Sequence, residues 1–113
     1  MIQFSCIVQE NQIAETARAK LVSGLTQVTA EVLGAASGEI HVEFREIPHG
    51  AGYRGGELST TSLVRATIPP GCEQPVRKKL LETICDVWCD VTGCADDEVV
   101  ATASDSDYVP KVF

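Results

Sequence analysis

Two periodicities take turns along the 113-residue chain. Residues 1–9 (MIQFSCIVQ) alternate in part and are rich in Ile, Val and Phe, which predicts a strand. From residue 12 to residue 33, apolar side chains fall at Ile13, Ala17, Leu21, Leu25, Val28 and Val32. That is helical spacing, and Gly34 supplies a stop signal. Residues 40–47 (IHVEFREI) return to period two, with Ile40, Val42 and Phe44 on one face and His41, Glu43 and Arg45 on the other. A loop over residues 48–60, carrying four glycines, follows. The order then recurs. Residues 63–68 (LVRATI) predict a strand, and Pro69-Pro70-Gly71 breaks the chain. A helix starts near Pro75 with Val76, Leu80, Ile84, Val87, Trp88 and Val91 as its apolar positions. Gly93 ends that helix, and residues 98–103 (EVVATA) predict the last strand.

Sliding the chain by 59 residues lays RAKLVSGLTQVTAEVLGAASGEI over RKKLLETICDVWCDVTGCADDEV without a gap. Arg18 meets Arg77, Lys20 meets Lys79, Leu21 meets Leu80, Gly34 meets Gly93 and Glu39 meets Glu98. The chain therefore reads as one domain, 1–113, built from two β-α-β units of about 1–61 and 62–113. One crossover helix per unit favours parallel strands and a right-handed connection. The expected fold class is α/β: a four-stranded sheet with two helices on one face. The other sheet face is not highly polar and needs a cover, which predicts a homo-oligomer.

Composition narrows the partners. Nine Lys and Arg stand against sixteen Asp and Glu, for a net charge of −7. That balance excludes the basic stripe that nucleic acid demands. No apolar stretch approaches the roughly 18 residues of a membrane span, and residues 1–10 lack the charged start of a secretory signal. A cytoplasmic protein without membrane association is the expectation. The five cysteines are an odd number, which fits reduced thiols better than a disulfide framework. Cys85 and Cys89 share a helix face, but neither His41 nor His49 has zinc-ligand spacing to them, so no metal is expected. The thiols read as packing groups, with metal or redox chemistry as the alternative.

The loop Pro48-His49-Gly50-Ala51-Gly52-Tyr53-Arg54-Gly55-Gly56-Glu57-Leu58, set between the two units, resembles that of the tautomerase superfamily. VEFREIPHGAGYRGG is similar to the second strand and hairpin of the cis-3-chloroacrylic acid dehalogenase group, and GGEL to the end of 4-oxalocrotonate tautomerase subunits. The resemblance implies the tautomerase fold, a homotrimer, and cofactor-free chemistry on a small unsaturated or 2-oxo carboxylic acid. It also implies an N-terminal catalytic proline and loop arginines that hold the substrate carboxylate. Here Ile2 follows Met1, a pair from which Met1 is expected to be retained, and the positions matching the loop arginines are about Gln12 and Cys72.

Three groups are candidates for the missing proton carrier. Met1 is one by its α-amine and His41 another by its imidazole, because amines at chain starts and histidine rings are the groups that ordinarily exchange protons near neutral pH. Asp105 stands where Glu46 does in the other unit, and is similar to the water-activating acid of the dehalogenase group. Candidate substrate contacts are Ile2, Tyr53, Arg45, Arg54 and Arg65, the guanidinium groups serving as bidentate carboxylate clamps. The helix charges Arg18, Lys20, Arg77, Lys78 and Lys79 read as solvated. The glycines Gly50, Gly52, Gly55 and Gly56 read as turn residues of a hairpin, since no phosphate-loop pattern contains them. The partner implied is a small anionic organic acid, handled without cofactor. A non-catalytic binding or assembly protein is the other reading.

Overall fold

The structure, a computed structural model, describes residues 2–107. The first unit is β1 (Ile2–Gln9), α1 (Glu15–Leu33) and β2 (Ile40–Ile47). A two-residue-per-arm hairpin follows, β3 (Tyr53–Arg54) and β4 (Glu57–Leu58). The second unit is β5 (Ser62–Ile68), α2 (Gln74–Thr92) and β6 (Val99–Asp105). Each helix is linked to the following strand through a single 3₁₀ turn, Ser37–Glu39 or Asp96–Glu98.

The four long strands form one sheet in the order β2-β1-β5-β6. Within each unit the strands run parallel; between units, β1 and β5 pair antiparallel. Both helices end on a left-handed glycine, Gly34 at φ 67° and Gly93 at φ 73°, as the sequence predicts. The starts differ from the expectation for α1. Asn11 has φ 62° and turns the chain, so the helix begins at Glu15 rather than near residue 12.

Period two translates directly into a two-sided sheet. Phe4, Cys6 and Val8 of β1 and Val64, Ala66 and Ile68 of β5 are buried against Leu21, Leu25, Leu80, Ile84 and Trp88 of the helices. On the helix side, Arg18 pairs with Glu46 at 2.5 Å and Arg77 pairs with Asp105 at 2.5 Å. The two bridges are equivalent across the 59-residue offset. Each ties its helix's first turns to the end of the second strand of its own unit. This corrects the solvated reading of Arg18 and Arg77: the Arg77 side chain retains only 18% exposure, and Arg18 lies over the Phe44 ring at 5.3 Å.

The 48–60 loop is ordered by two glutamines. The buried Gln9 side chain donates to the Ser59 carbonyl and accepts from the Gly50 amide at 3.2 Å. Gln12 donates to the Thr60 carbonyl at 2.6 Å. Gly52 has no room for a side chain, since a Cβ there would lie 2.7 Å from Gln9 and 2.8 Å from the Ser59 carbonyl. Gly55 and Gly56 both have positive φ, which a two-residue hairpin turn of the primed type requires. No helix among the described residues is long and apolar enough to cross a membrane.

Candidate functional site

The register of the sheet assembles the open face, away from the helices, into three rows. His41, Gln3 and Thr67 lie side by side, with Ser104 beyond. The next row is Glu43, Ser5, Arg65 and Thr102. The third is Arg45, Ile7, Leu63 and Val100. Two rows are polar and the third is apolar apart from Arg45, so the face is divided rather than uniform.

The polar rows hold a cavity of about 250 Å³ lined by Gln3, Phe4, Ser5, His41, Glu43, Arg45, Arg65 and Thr67. His41, Arg45 and Arg65, three of the residues singled out from sequence, therefore meet at one place. Glu43 sits between two of them, 3.9 Å from His41 Nε2 and 3.4 Å from Arg45. Arg65 forms no ion pair among the described residues. Two guanidinium charges against one carboxylate leave the cavity net positive on a chain of net charge −7. Fixed cations with hydroxyl neighbours at Ser5 and Thr67 suit a small carboxylate. Ser5, Gln3 and Thr67 were missed by sequence reasoning. Their shared parity on β1 and β5 was the available signal, but the pairing of those strands was not.

Ile2 lies elsewhere. It is buried and faces a larger cavity, about 520 Å³, at the end of the sheet between the C-terminus of α1 and the turn entering α2. The charged side chains lining it are Glu39 and Glu73, and Cys72 lines it as well. The 59-residue offset maps this cavity onto another, of about 270 Å³, lined by Gln12, Ile13, Ser62, Thr92, Gly93, Cys94 and Glu98, with Trp88. Gly34, Ala35 and Glu39 correspond to Gly93, Cys94 and Glu98, and Cys72 corresponds to Ile13. Ser62 takes the place of Ile2 by strand register, one residue beyond the 59-residue offset: Ile2 pairs with Ile40 and Ser62 with Val99, each the first residue of its unit's second strand. The two cavities are thus one device present twice, with different linings.

The remaining candidates are dispersed. Asp105 lies on the helix side of the sheet, engaged by Arg77, while His41 lies on the open side. Tyr53 is 68% exposed on the hairpin, and Arg54 Nη1 donates to the Asp97 carbonyl at 2.6 Å, fastening the hairpin to the second unit. Met1 lies outside the described residues. Among those described, no group of three His, Cys, Asp or Glu is placed to hold a metal ion.

Comparison with known proteins adds a family and a set of solved structures of similar fold. A family model described as "Tautomerase enzyme" matches residues 1–62, the first unit together with the hairpin. The solved structure of native Ps01740 is 28% identical, with a TM-score of 0.87 over 91% of this chain and 92% of that one. A member of the cis-3-chloroacrylic acid dehalogenase family, N1, is 20% identical, with a TM-score of 0.87 over 91% of this chain and 73% of that one. A fused 4-OT described as a symmetric trimer is 14% identical, with a TM-score of 0.85 over 91% and 84%. No curated protein sequence matches the chain.

Proposed function

The chain belongs to the tautomerase enzyme family, and from that premise we propose that it is a cofactor-free isomerase of a small unsaturated or 2-oxo carboxylic acid. One observation carries the reading: His41, Arg45 and Arg65 line a single cavity on the open sheet face. Arg65, with Arg45, binds the substrate carboxylate through charge-assisted hydrogen bonds. The His41 imidazole takes a proton from the enol oxygen or the α-carbon and returns it at the other end of the conjugated system. Structural likeness to a member of the cis-3-chloroacrylic acid dehalogenase family, named for a small unsaturated acid, supports the substrate class.

The molecule acts as a homotrimer in this reading. The apolar row of Ile7, Leu63 and Val100 adjoins the hairpin, whose Tyr53 and Leu58 are each 68% exposed, and Val100 is 45% exposed. These groups dock a neighbouring subunit and leave the polar rows for ligand. The trimeric 4-OT of the same fold supports the stoichiometry.

Ketonisation of 2-hydroxymuconate and phenylenolpyruvate, followed by ultraviolet absorbance from about pH 6 to about pH 9, tests the proposal. His41→Gln is expected to lower the rate by roughly 10²–10⁴-fold. Arg65→Ala is expected to lower kcat/KM about 10–100-fold, the loss of a hydrogen bond to a charged group. An α-amine on Met1 is the competing proton carrier. Full activity in His41→Gln, with a gain in Ile2→Pro, would move the assignment from His41 to that amine.

A specific observation favours the second reading, a non-catalytic binding or assembly protein. Among the described residues, those lining the Ile2 cavity present the carboxylates of Glu39 and Glu73 and no cation. A folded trimer that leaves both substrates at their buffer rates throughout that pH range would establish it.

A further inference from the structure

The C-terminal cap of α2 holds two thiols in contact. Cys89 Sγ lies 3.6 Å from Cys94 Sγ, and 3.7 Å from Asp96 Oδ1. The cap explains the approach. Gly93, in the left-handed conformation, donates its amide to the Cys89 carbonyl at 2.8 Å. In such a cap, the residue after the glycine folds back onto the residue whose carbonyl is capped, a contact that is ordinarily apolar. The first unit, whose helix also ends on a left-handed glycine, carries apolar residues at the equivalent positions. Across the 59-residue offset, Cys89 and Cys94 correspond to Ala30 and Ala35, on either side of Gly34. Both positions are alanine in the first unit and cysteine in the second.

Accessibility differs between the two sulfurs in a useful way. Both cysteines are half-buried and free, but Cys94 also lines the 270 Å³ cavity that matches the Ile2 cavity of the first unit. A reagent entering that cavity meets Cys94, with Cys89 immediately behind it.

We propose that Cys89 and Cys94 are a reversible dithiol–disulfide pair, a site of oxidative modification by low-molecular-weight disulfides. Cys94 sulfur attacks one sulfur of the incoming disulfide, whose S–S bond breaks; the leaving thiolate takes up the proton that Cys94 released. Cys89 sulfur then attacks the Cys94 sulfur of the mixed disulfide, and the second small thiol leaves with the Cys89 proton. The two cysteines lose two electrons and two protons, and one small disulfide becomes two small thiols. Burial, the contact with Cys94 and the charge of Asp96 push the Cys89 thiol up to about 12, so it is the poorer first nucleophile. Once Cys94 carries the mixed disulfide, its thiol no longer contributes to that shift, and closure of the ring becomes easier.

The test uses the native full-length chain and oxidised glutathione, followed by acid quench, alkylation and peptide mass spectrometry. A species two hydrogens lighter, with the bridge mapped to Cys89–Cys94, reversed by dithiothreitol and with Cys6, Cys72 and Cys85 alkylated, supports the pair. Cys94→Ala places in the second unit the alanine that the first unit carries at the same point of its cap, so the fold is retained. It is expected to abolish both bridge and adduct, and Cys89→Ala to trap glutathione on Cys94. Bridging to Cys85, a persistent glutathione adduct on the unmutated chain, or no oxidation of the Cys89–Cys94 pair while Cys72 reacts would each overturn it.

Discussion

Thr29 is fully buried in α1, and its hydroxyl has no hydrogen-bond partner among the described residues. Such a group loses water without replacing it. Thr29→Val keeps the shape and removes the hydroxyl, so it is expected to raise the unfolding free energy by about 1 kcal/mol, read in urea titrations as a higher midpoint at unchanged slope. Cys6 makes a pH-dependent contribution. It is completely buried in β1, and burial pushes its thiol from 9.0 up to about 12. The folded state therefore holds this proton while the unfolded chain releases it. The sign is fixed: the contribution is complete below about pH 9, is lost as pH rises, and levels off above about pH 12. Denaturant titrations at about pH 8 and about pH 10.5 should show falling stability, with a shallower fall in Cys6→Ala.

At the scale of elements, the sequence repeat appears as matching bridges between helix and strand. Arg77 donates to the Asp105 carboxylate and, at 2.9 Å, to the Ala103 carbonyl, both near the end of β6. Arg77→Met strands both acceptors in a partly buried position and is expected to cost about 1–3 kcal/mol. A double-mutant cycle with Asp105→Asn should return a coupling well above that of an exposed ion pair such as Lys78–Glu82, which belongs to the range of about 0.2–1 kcal/mol. Coupling no larger than that would show the bridge to be a surface feature. The family model stops at residue 62, where the second unit starts. The retained capping glycines and bridge arginines keep the second unit in shape. The changes from Ile2 to Ser62 and from Ala35 to Cys94 show that the matching cavities have diverged in chemistry.

The whole molecule presents an open sheet face divided into polar rows and one mostly apolar row. Placing a carboxylate in the apolar row at Val100, which is 45% exposed, should leave the subunit folded and prevent assembly. Val100→Asp is therefore expected to sediment as a monomer with unchanged circular dichroism. A trimer in this variant would remove the row from the interface. In the proposed function, that division gives assembly and ligand separate parts of one surface, because the three rows come from different registers of the same four strands.

Local pattern was enough to read the order of elements, the repeat and the glycine-capped helix ends. Those features depend on neighbours a few residues apart, and period two or 3.6 records them directly. It was also enough to nominate Arg45, Arg65 and His41 as candidates for a site. It did not reveal that they share a cavity. That required the antiparallel pairing of β1 with β5, which sets Ser5 against Arg65, and the parallel register that sets Gln3 beside His41. Nor did it disclose the partners of Gln9 across 50 residues of chain, or turn Cys89 and Cys94 from packing groups into a touching pair. The distinction is physical. Side-chain periodicity encodes which face of an element is apolar, whereas strand register and cap geometry are settled by contacts between segments distant along the chain. The sequence by itself thus determined the elements and their duplication; only the tertiary structure decided which charged and thiol side chains meet.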